Sequence, residues 1–473
     1  MKKILLLIVV IVLGYSVSVY PLQWGEFISG DYKFTLLDDG TAEIKNYNQY
    51  NKDEENLEIP ETIDGYVVTS IGRGAFSSCY GLKSITLPEG ITNIGEGAFC
   101  DCINLKNITL PEGVTSIGKE AFSGCARLSS IVLPDTVKDI SSNPFIACFS
   151  LEQVTVSTDH PELEVMDGLL YDKQGKRLIF CPQSKQQVEI PEGVQIIGDS
   201  AFFGCESLSS ITLPEGVTCI GDKAFFNCKN LSNITLPDSA ANIDSNPFLR
   251  CGSLEQVAVS SDHPVLEVID GLLYHKSDKR LIFCPQSKQQ VEIPEGIQKI
   301  GDSAFDCCYH LSSITLPDGV TSIGDSAFSS CISLSSITLP EGVTSIGDRA
   351  FSSCTNLNSI TLPEGLTSIG DWAFFNCYGL SSIALREGLT SIGKKAFFHS
   401  GCLSIMLPEG VTYIGDSAFS ECINLTGITI PESIIHIGED AFTGNPNLII
   451  TVTRASYAAK YCSMNGFNYI YAD

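Results

Sequence analysis

Apolar positions recur along this chain with a long, regular period, marked most clearly by a phenylalanine that usually follows alanine. From Phe328 to Phe351, and again from Phe351 to Phe374, the step is 23 residues. A fixed period of this length indicates a stack of similar structural units rather than a globular domain. The full series is Phe76, Phe99, Phe122, Phe145, Phe202, Phe225, Phe248, Phe305, Phe328, Phe351, Phe374, Phe397, Phe419 and Phe442, with one residue lost near Cys402.

Each unit combines a short strand pattern with a return across the core. In the unit that begins at Leu105, Ile108 and Leu110 are predicted to point inward while Thr109 between them points outward. Gly118 is expected to permit a tight corner. The residue after this glycine is Asp in many units, where its side chain is expected to cap a short helical turn.

These units predict the fold class, because no unit of this size can bury its apolar face alone and neighbours must therefore stack. We expect an α/β repeat solenoid: a right-handed leucine-rich-repeat coil with a parallel sheet on one face and short helical turns on the other. The coil is expected to occupy residues 59–450.

Two stretches, 146–202 and 249–305, interrupt the period. The step from Phe145 to Phe202, and from Phe248 to Phe305, is 57 residues instead of 23. The extra sequence alternates apolar and polar residues around a turn, which predicts a protruding β-hairpin in each long unit. Residues 151–202 and 254–305 differ at only 9 of 52 positions. The long unit has therefore been duplicated.

The ends of the chain differ from the repeats. Residues 1–18 contain Lys2 and Lys3, a run of ten apolar residues and then small residues, which predicts a signal peptide. An uncleaved anchor is the alternative, but this run is shorter than the roughly 20 residues that cross a bilayer. No membrane span is expected in the mature chain. Residues 19–58 are predicted to form a cap hairpin and 451–473 a second cap, because open terminal strands invite pairing with other chains.

The composition is that of a folded, acidic protein. Apolar residues make up 44% of the chain and charged residues 18%, which is sufficient for a core. Asp and Glu outnumber Lys and Arg by 55 to 29, whereas binding to a phosphate backbone depends on cations. A nucleic-acid partner is therefore disfavoured.

The 19 cysteines allow two interpretations. Twelve of them, including Cys102, Cys125 and Cys354, follow the repeat phenylalanine by three residues and so share one core position. Buried free thiols explain that period without any bond, although a secreted chain also permits disulfides. The better candidates for bridges are Cys100, Cys181, Cys219, Cys284, Cys307, Cys402 and Cys462.

The sequence gives little support to catalysis or to metal binding, and no catalytic residue, cofactor or metal is predicted. The six histidines form no pair at zinc spacing, and His160 and His263 precede Pro at equivalent positions of the long units, as turn residues do. Two acidic rows run along the repeats, one after the strand, as at Glu112, and one before the turn, as at Asp325. They indicate a solvated face with helix caps, with a row of calcium sites as the alternative.

The repeat L-x-x-I-x-L-P-E-G-V-T-x-I-G-x-x-A-F-x-x-C resembles the BspA-like class of leucine-rich repeats. The resemblance covers nearly the whole chain after residue 18, including 64–72, the sequence Asn143-Pro-Phe145 and 456–460. It implies a secreted or cell-surface protein that adheres to host matrix proteins or to other cells. The family has no fixed catalytic residues.

The outward face of the predicted sheet is the expected contact surface, since repeat proteins commonly bind partners on such faces. We expect protein binding or adhesion through this face, through the hairpins or through both, with extracellular or surface proteins as partners. A structural rod in a surface layer is the alternative. Three threonines of a regular outward column and three residues that interrupt it are the candidate contacts: Thr315, Thr338, Thr361, Ala384, Arg386 and Met406.

Overall fold

The computed structural model describes residues 25–48, 55–140, 142–243 and 245–472, where the chain winds as a β-solenoid of about 18 turns. A regular coil contributes a three-residue strand to a front sheet, a two-residue strand to a side sheet, and tight turns to a third face, called the turn face here. The predicted signal peptide, 1–18, lies outside the described residues. The right-handed winding stays a prediction.

The front sheet is parallel, and hydrogen-bonded ladders within it join two to four neighbouring strands at a time. Ile108 and Leu110 are buried and Thr109 is exposed, as the alternation predicts. The strands are Asn56–Glu58, Ser84–Thr86, Asn107–Thr109, Ser130–Val132, Gln153–Thr155, Gln187–Glu189, Ser210–Thr212, Asn233–Thr235, Gln256–Ala258, Gln290–Glu292, Ser313–Thr315, Ser336–Thr338, Ser359–Thr361, Ser404–Met406, Gly427–Ile430, Ile449–Val452 and Tyr469–Tyr471.

The side sheet is also parallel between coils, and its regular strands end just before the corner glycine of the repeat, except Asp139–Ile140, which Ser141 follows. The antiparallel strand Thr62–Ile63 is added at its first coil. Its regular strands are Tyr66–Ile71, Asn93–Ile94, Ser116–Ile117, Asp139–Ile140, Ile196–Ile197, Cys219–Ile220, Lys299–Ile300, Ser322–Ile323, Ser345–Ile346, Ser368–Ile369, Ser391–Ile392, Tyr413–Ile414 and His436–Ile437.

The turn face contradicts the prediction of short helical turns, because the only helix in the described residues is Tyr457–Asn465 in the C-terminal cap. Ser326 and Ser330 have left-handed φ angles of 54° and 59°, which an α-helix of L-residues does not tolerate. Alternate amides donate to the next coil, as Phe328 N–H does to Ala350 O at 2.7 Å. These amides cannot also form the i to i−4 bonds of a helix, so the face becomes a stack of tight turns.

The Asp row before the turn does not cap helices either. Asp302 Oδ1 accepts the backbone amide of Asp325 at 2.8 Å, and Asp325 Oδ1 accepts that of Asp348 at 2.8 Å. Burial raises the pKa of Asp325, although the amide of Asp348 acts in the opposite direction. Each carboxylate therefore joins its coil to the next one.

The core is a column of stacked rings beside a column of thiols. The rings of Phe328 and Phe351 are parallel to within 5°, with centroids 5.2 Å apart. The Cys354 thiol donates to Phe328 O at 3.0 Å, and the same bond recurs from coil to coil. Burial raises the pKa of Cys354 to about 12. All 19 cysteines are free in the structure, so the core position three residues after the repeat phenylalanine holds free thiols wherever it is cysteine.

The two long units contain antiparallel hairpins, but these are buried rather than protruding. Leu170 and Phe180 pack with the coils before the hairpin, whereas Tyr171 and Leu178 pack with the coils after it. Each hairpin thus forms a partition across the coil and divides the described core into three clusters. The hairpin strands are Leu163–Met166, Leu169–Asp172 and Arg177–Phe180 in the first unit, and Leu266–Ile269, Leu272–His275 and Arg280–Phe283 in the second.

Buried polar side chains hold the first partition in place. Asn143 donates to Ser200 O at 2.7 Å and accepts the amide of Phe145 at 2.8 Å, so it joins the coils on either side. His160 Nδ1 accepts the amide of Leu163 at 3.0 Å, and its Nε2 lies 3.1 Å from Pro134 O. This histidine is a buried structural residue, and His263 makes equivalent contacts in the second unit.

Both ends of the array carry different structures. At the N-terminal end the antiparallel strands Glu26–Ser29, Tyr32–Leu36 and Ala42–Tyr47 join the side sheet, with Ala42–Tyr47 parallel to its first strand. At the C-terminal end Ser456 caps the helix Tyr457–Asn465 by accepting the amide of Ala459. The chain then adds Tyr469–Tyr471 to the front sheet.

A corner glycine should be sensitive to substitution because of its neighbour in the stack rather than its own φ angle. A Cβ on Gly324 would lie 2.7 Å from Asp302 N and 2.8 Å from Gly301 C, whereas one on Gly319 in the same coil would meet nothing closer than 3.4 Å. We expect Gly324→Ala to destabilise the array by about 2 kcal/mol, as overpacking does. Thermal unfolding should show a lower midpoint for this variant, and equal midpoints for Gly324→Ala and Gly319→Ala would contradict the close-approach argument.

The thiols should differ sharply in reactivity. Cys100 and Cys219 are partly exposed while the other seventeen cysteines are buried, and a thiol reagent must reach the sulfur to react with it. We expect a thiol reagent at pH 8 to label Cys100 and Cys219 in the native protein and the remainder only after unfolding. Mass spectrometry of labelled peptides measures this, and missing free thiols in unfolded, unreduced protein would instead indicate disulfides.

Candidate functional site

The candidate threonines lie where the sequence pattern places them, on the outward side of the front sheet. Thr315, Thr338 and Thr361 end successive strands and are exposed. Thr338 and Thr361 are direct partners across the parallel ladder. Together they form a regular polar surface that leads towards Ala384.

The front sheet is interrupted in the coil that contains Ala384. Residues 381–386 form no strand, although Ile383 keeps its buried, inward position. The stretch from Phe397 to Ile405 is one residue shorter than the equivalent stretch from Phe374 to Ile383. A missing residue changes which backbone groups face each other across neighbouring strands. The lost residue lies at the junction between these two coils.

A cavity of about 340 Å³ opens at this junction, and we call it the front slot. Ile383, Leu385, Leu407 and Pro408 contribute to an apolar lining, together with Ala384 from the candidate patch. On the other side of the opening is Met406, whose side chain is 73% exposed. Of the six predicted contact residues, the structure brings Ala384 and Met406 together in one cavity.

Arg386, by contrast, is held away from the front slot by the preceding coil. Its Nε donates to Leu362 O at 3.1 Å, and its Nη1 lies 3.3 Å from Glu364 Oε1. The equivalent position in most repeats is proline, which has no side-chain donor. Arg386 therefore fastens the interrupted coil to its neighbour, and we assign it a positioning role.

The mouth of the front slot is acidic. Glu387 and Glu409 both contribute to it and both are exposed. Among the residues that the structure describes, neither carboxylate forms an ion pair, whereas Glu364 is paired with Arg386. An apolar cavity with two uncompensated carboxylates at its edge can hold an apolar group that has a cation beside it.

Sequence reasoning identified Ala384 and Met406 because they break the threonine column, but it did not identify Leu385, Glu387 or Glu409. These three match the repeat consensus and carry no local signal of their own. The signal that could have located them is the residue lost near Cys402. The glutamates at the equivalent positions of regular coils, such as Glu89 and Glu112, are exposed as well, so only the cavity beside Glu387 and Glu409 distinguishes these two.

Comparison with known proteins identifies the repeat. The sequence matches the family described as BspA type leucine rich repeat region (6 copies) over residues 42–165, 176–279, 279–403 and 322–451, well over half of the chain. The chain belongs to the BspA-type leucine-rich repeat family. No curated protein matches this BspA-type chain.

Several solved structures are similar to this BspA-type protein. A leucine-rich cell surface protein from Faecalibacterium prausnitzii is 29% identical, with 78% of this chain and 95% of that chain covered and a TM-score of 0.39. A leucine-rich repeat protein from Bacteroides ovatus is 24% identical, with coverage of 94% and 100% and a TM-score of 0.33. The pneumococcal vaccine antigen PcpA is 18% identical, with coverage of 95% and 99% and a TM-score of 0.35.

The described ranges contain neither a candidate metal site nor a membrane-spanning helix. No group of three or more His, Cys, Asp or Glu side chains there is placed to hold a metal ion. No helix in that part of the chain combines the length and apolar character needed to cross a membrane. Repeats of this family are typically non-catalytic.

Removal of the Arg386 side chain tests its positioning role. Arg386→Ala leaves Leu362 O without this donor and releases Glu364, so we expect a loss of about 1 kcal/mol near this coil. Hydrogen exchange of the 360–390 backbone should become faster, while Arg127→Ala, at an exposed arginine far from this junction, serves as the matched control. Unchanged exchange in Arg386→Ala would show that the arginine does not hold the coil.

Proposed function

We propose that this protein is secreted or displayed at the cell surface and binds other extracellular proteins through its front sheet, with the front slot at the centre of the contact. The observation that carries the proposal is the combination of an apolar cavity and an exposed Met406 in a sheet whose outward residues are otherwise mostly polar. Membership of a leucine-rich repeat family supports protein binding as the general role.

The front of the last coils adds apolar area to this surface. Met406, Thr429, Thr451 and Ile470 are registered partners on four successive strands, so they form one outward column. Ile470 is 54% exposed, and Ile449 lies exposed in the neighbouring column. Thr429 and Thr451 separate Met406 from Ile470 in this column, so apolar and polar residues alternate along a mixed surface, as they do in many protein interfaces. The proposed contact thus extends from the front slot towards the C-terminal cap.

Adhesion is the specific form of binding that we propose, with matrix proteins or proteins of other cells as partners. The regular threonines Thr315, Thr338 and Thr361 would form the polar margin of such a contact, and Ala384 and Met406 its apolar centre. This arrangement agrees with the usual anatomy of a protein interface, in which a buried apolar centre is surrounded by a polar rim.

The test is binding of the purified chain without residues 1–18 to an array of extracellular-matrix proteins and to itself. We expect saturable binding to at least one matrix component, and roughly tenfold weaker binding by Ala384→Thr/Met406→Thr, which loses the apolar centre. The matched control, Thr86→Ala/Thr109→Ala, changes the same face far from the slot and should bind normally. Self-association without any saturable partner would favour the structural rod instead.

A further inference from the structure

The front slot has a chemistry that restricts what it can hold. Its volume of about 340 Å³ lies at the small end of the range for ligand cavities, roughly 300 to 1,000 Å³. Leu385, Met406 and Leu407 make much of its lining apolar. A cavity of this size and lining accommodates one or two apolar side chains rather than a large cofactor.

Unpaired backbone groups lie beside the cavity. Within the described residues, the amides of Ser382, Ile383 and Ala384 donate no hydrogen bond to any backbone carbonyl, because this coil forms no ladder with either neighbour. Unpaired backbone groups are costly unless water or a ligand satisfies them. A peptide brings carbonyl oxygens as well as side chains, so it can satisfy these amides while it fills the cavity.

The charges at the mouth of the front slot restrict which group can lie next to the apolar side chain of the ligand. Glu387 and Glu409 belong to successive coils, border the same cavity and form no ion pair in the described structure, since Arg386 beside Glu387 is paired with Glu364. The chain carries a formal net charge of −26, so a second copy would be repelled rather than attracted. The complementary ligand is therefore basic and belongs to another protein.

We propose that the front slot binds an extended peptide segment of a partner protein in which an apolar side chain lies next to Lys or Arg. The apolar side chain enters the cavity between Ala384 and Met406, and the cation meets Glu387 and Glu409. This inference rests on the proposed function, because it names the chemistry of the partner for the same surface. Arg386 contributes indirectly. It is paired with Glu364, so Glu387 and Glu409 are the carboxylates at this junction that remain without an ion pair.

The experiment is selection from a random dodecapeptide phage library on the immobilised chain without residues 1–18, followed by affinity measurement with the most enriched synthetic peptide. We expect enriched peptides to share an apolar residue beside Lys or Arg. Glu387→Gln/Glu409→Gln should weaken binding of that peptide roughly tenfold, with a smaller effect at high salt. Ala384→Thr/Met406→Thr should weaken it by a similar factor through the cavity rather than through charge.

The matched control is Glu89→Gln/Glu112→Gln, which neutralises carboxylates at equivalent positions of two regular coils. It should leave peptide affinity unchanged. The inference would be overturned by enrichment of acidic or wholly polar peptides, or by no enrichment above the bare support. It would also be overturned if the control and Glu387→Gln/Glu409→Gln lost peptide affinity equally. Matrix binding that is lost in Ala384→Thr/Met406→Thr while no basic apolar peptide binds would reject this inference alone and leave the proposed function intact.

Discussion

The close approach of successive coils is the constraint on which the rest of this structure depends. At the corner between the side sheet and the turn face, the backbone of Gly324 lies so near that of Gly301 and Asp302 that a single added carbon would collide. The same proximity lets Asp302 accept the amide of Asp325 and brings the rings of Phe328 and Phe351 into contact. Glycine, aspartate and phenylalanine recur because each fits one position in this stack.

That constraint also explains why the turn face differs from a helix. Ser326 and Ser330 adopt left-handed conformations that are unfavourable for residues other than glycine. Their amides then donate to Asp348 and Ser352 of the next coil, at 2.7 Å in both cases. Hydrogen bonds to the next coil offset the strain within each turn. The sequence of a single unit does not reveal this compensation, because the acceptors belong to another unit.

The proposed contact site lies where the stack is least regular. A regular front strand pairs with at least one neighbouring strand and presents mostly polar residues, whereas the coil around Ala384 forms no front-sheet ladder and lies beside a shortened neighbour. The result is a cavity lined by residues such as Leu385, which a regular array would cover more fully. Arg386 keeps the irregular coil attached to Leu362, so the opening is compatible with an otherwise continuous core.

The sequence by itself determined the stack, its family and the inward and outward sides of the front strands, because burial with a 23-residue period must repeat wherever the coil repeats. It also located Ala384 and Met406 as departures from that period. Only the tertiary structure decided the turn face, the buried position of the hairpins and the acidic mouth at Glu387 and Glu409. Those features depend on which backbone and side-chain groups of neighbouring coils meet, and residues with the same local sequence meet different partners at different places in the stack.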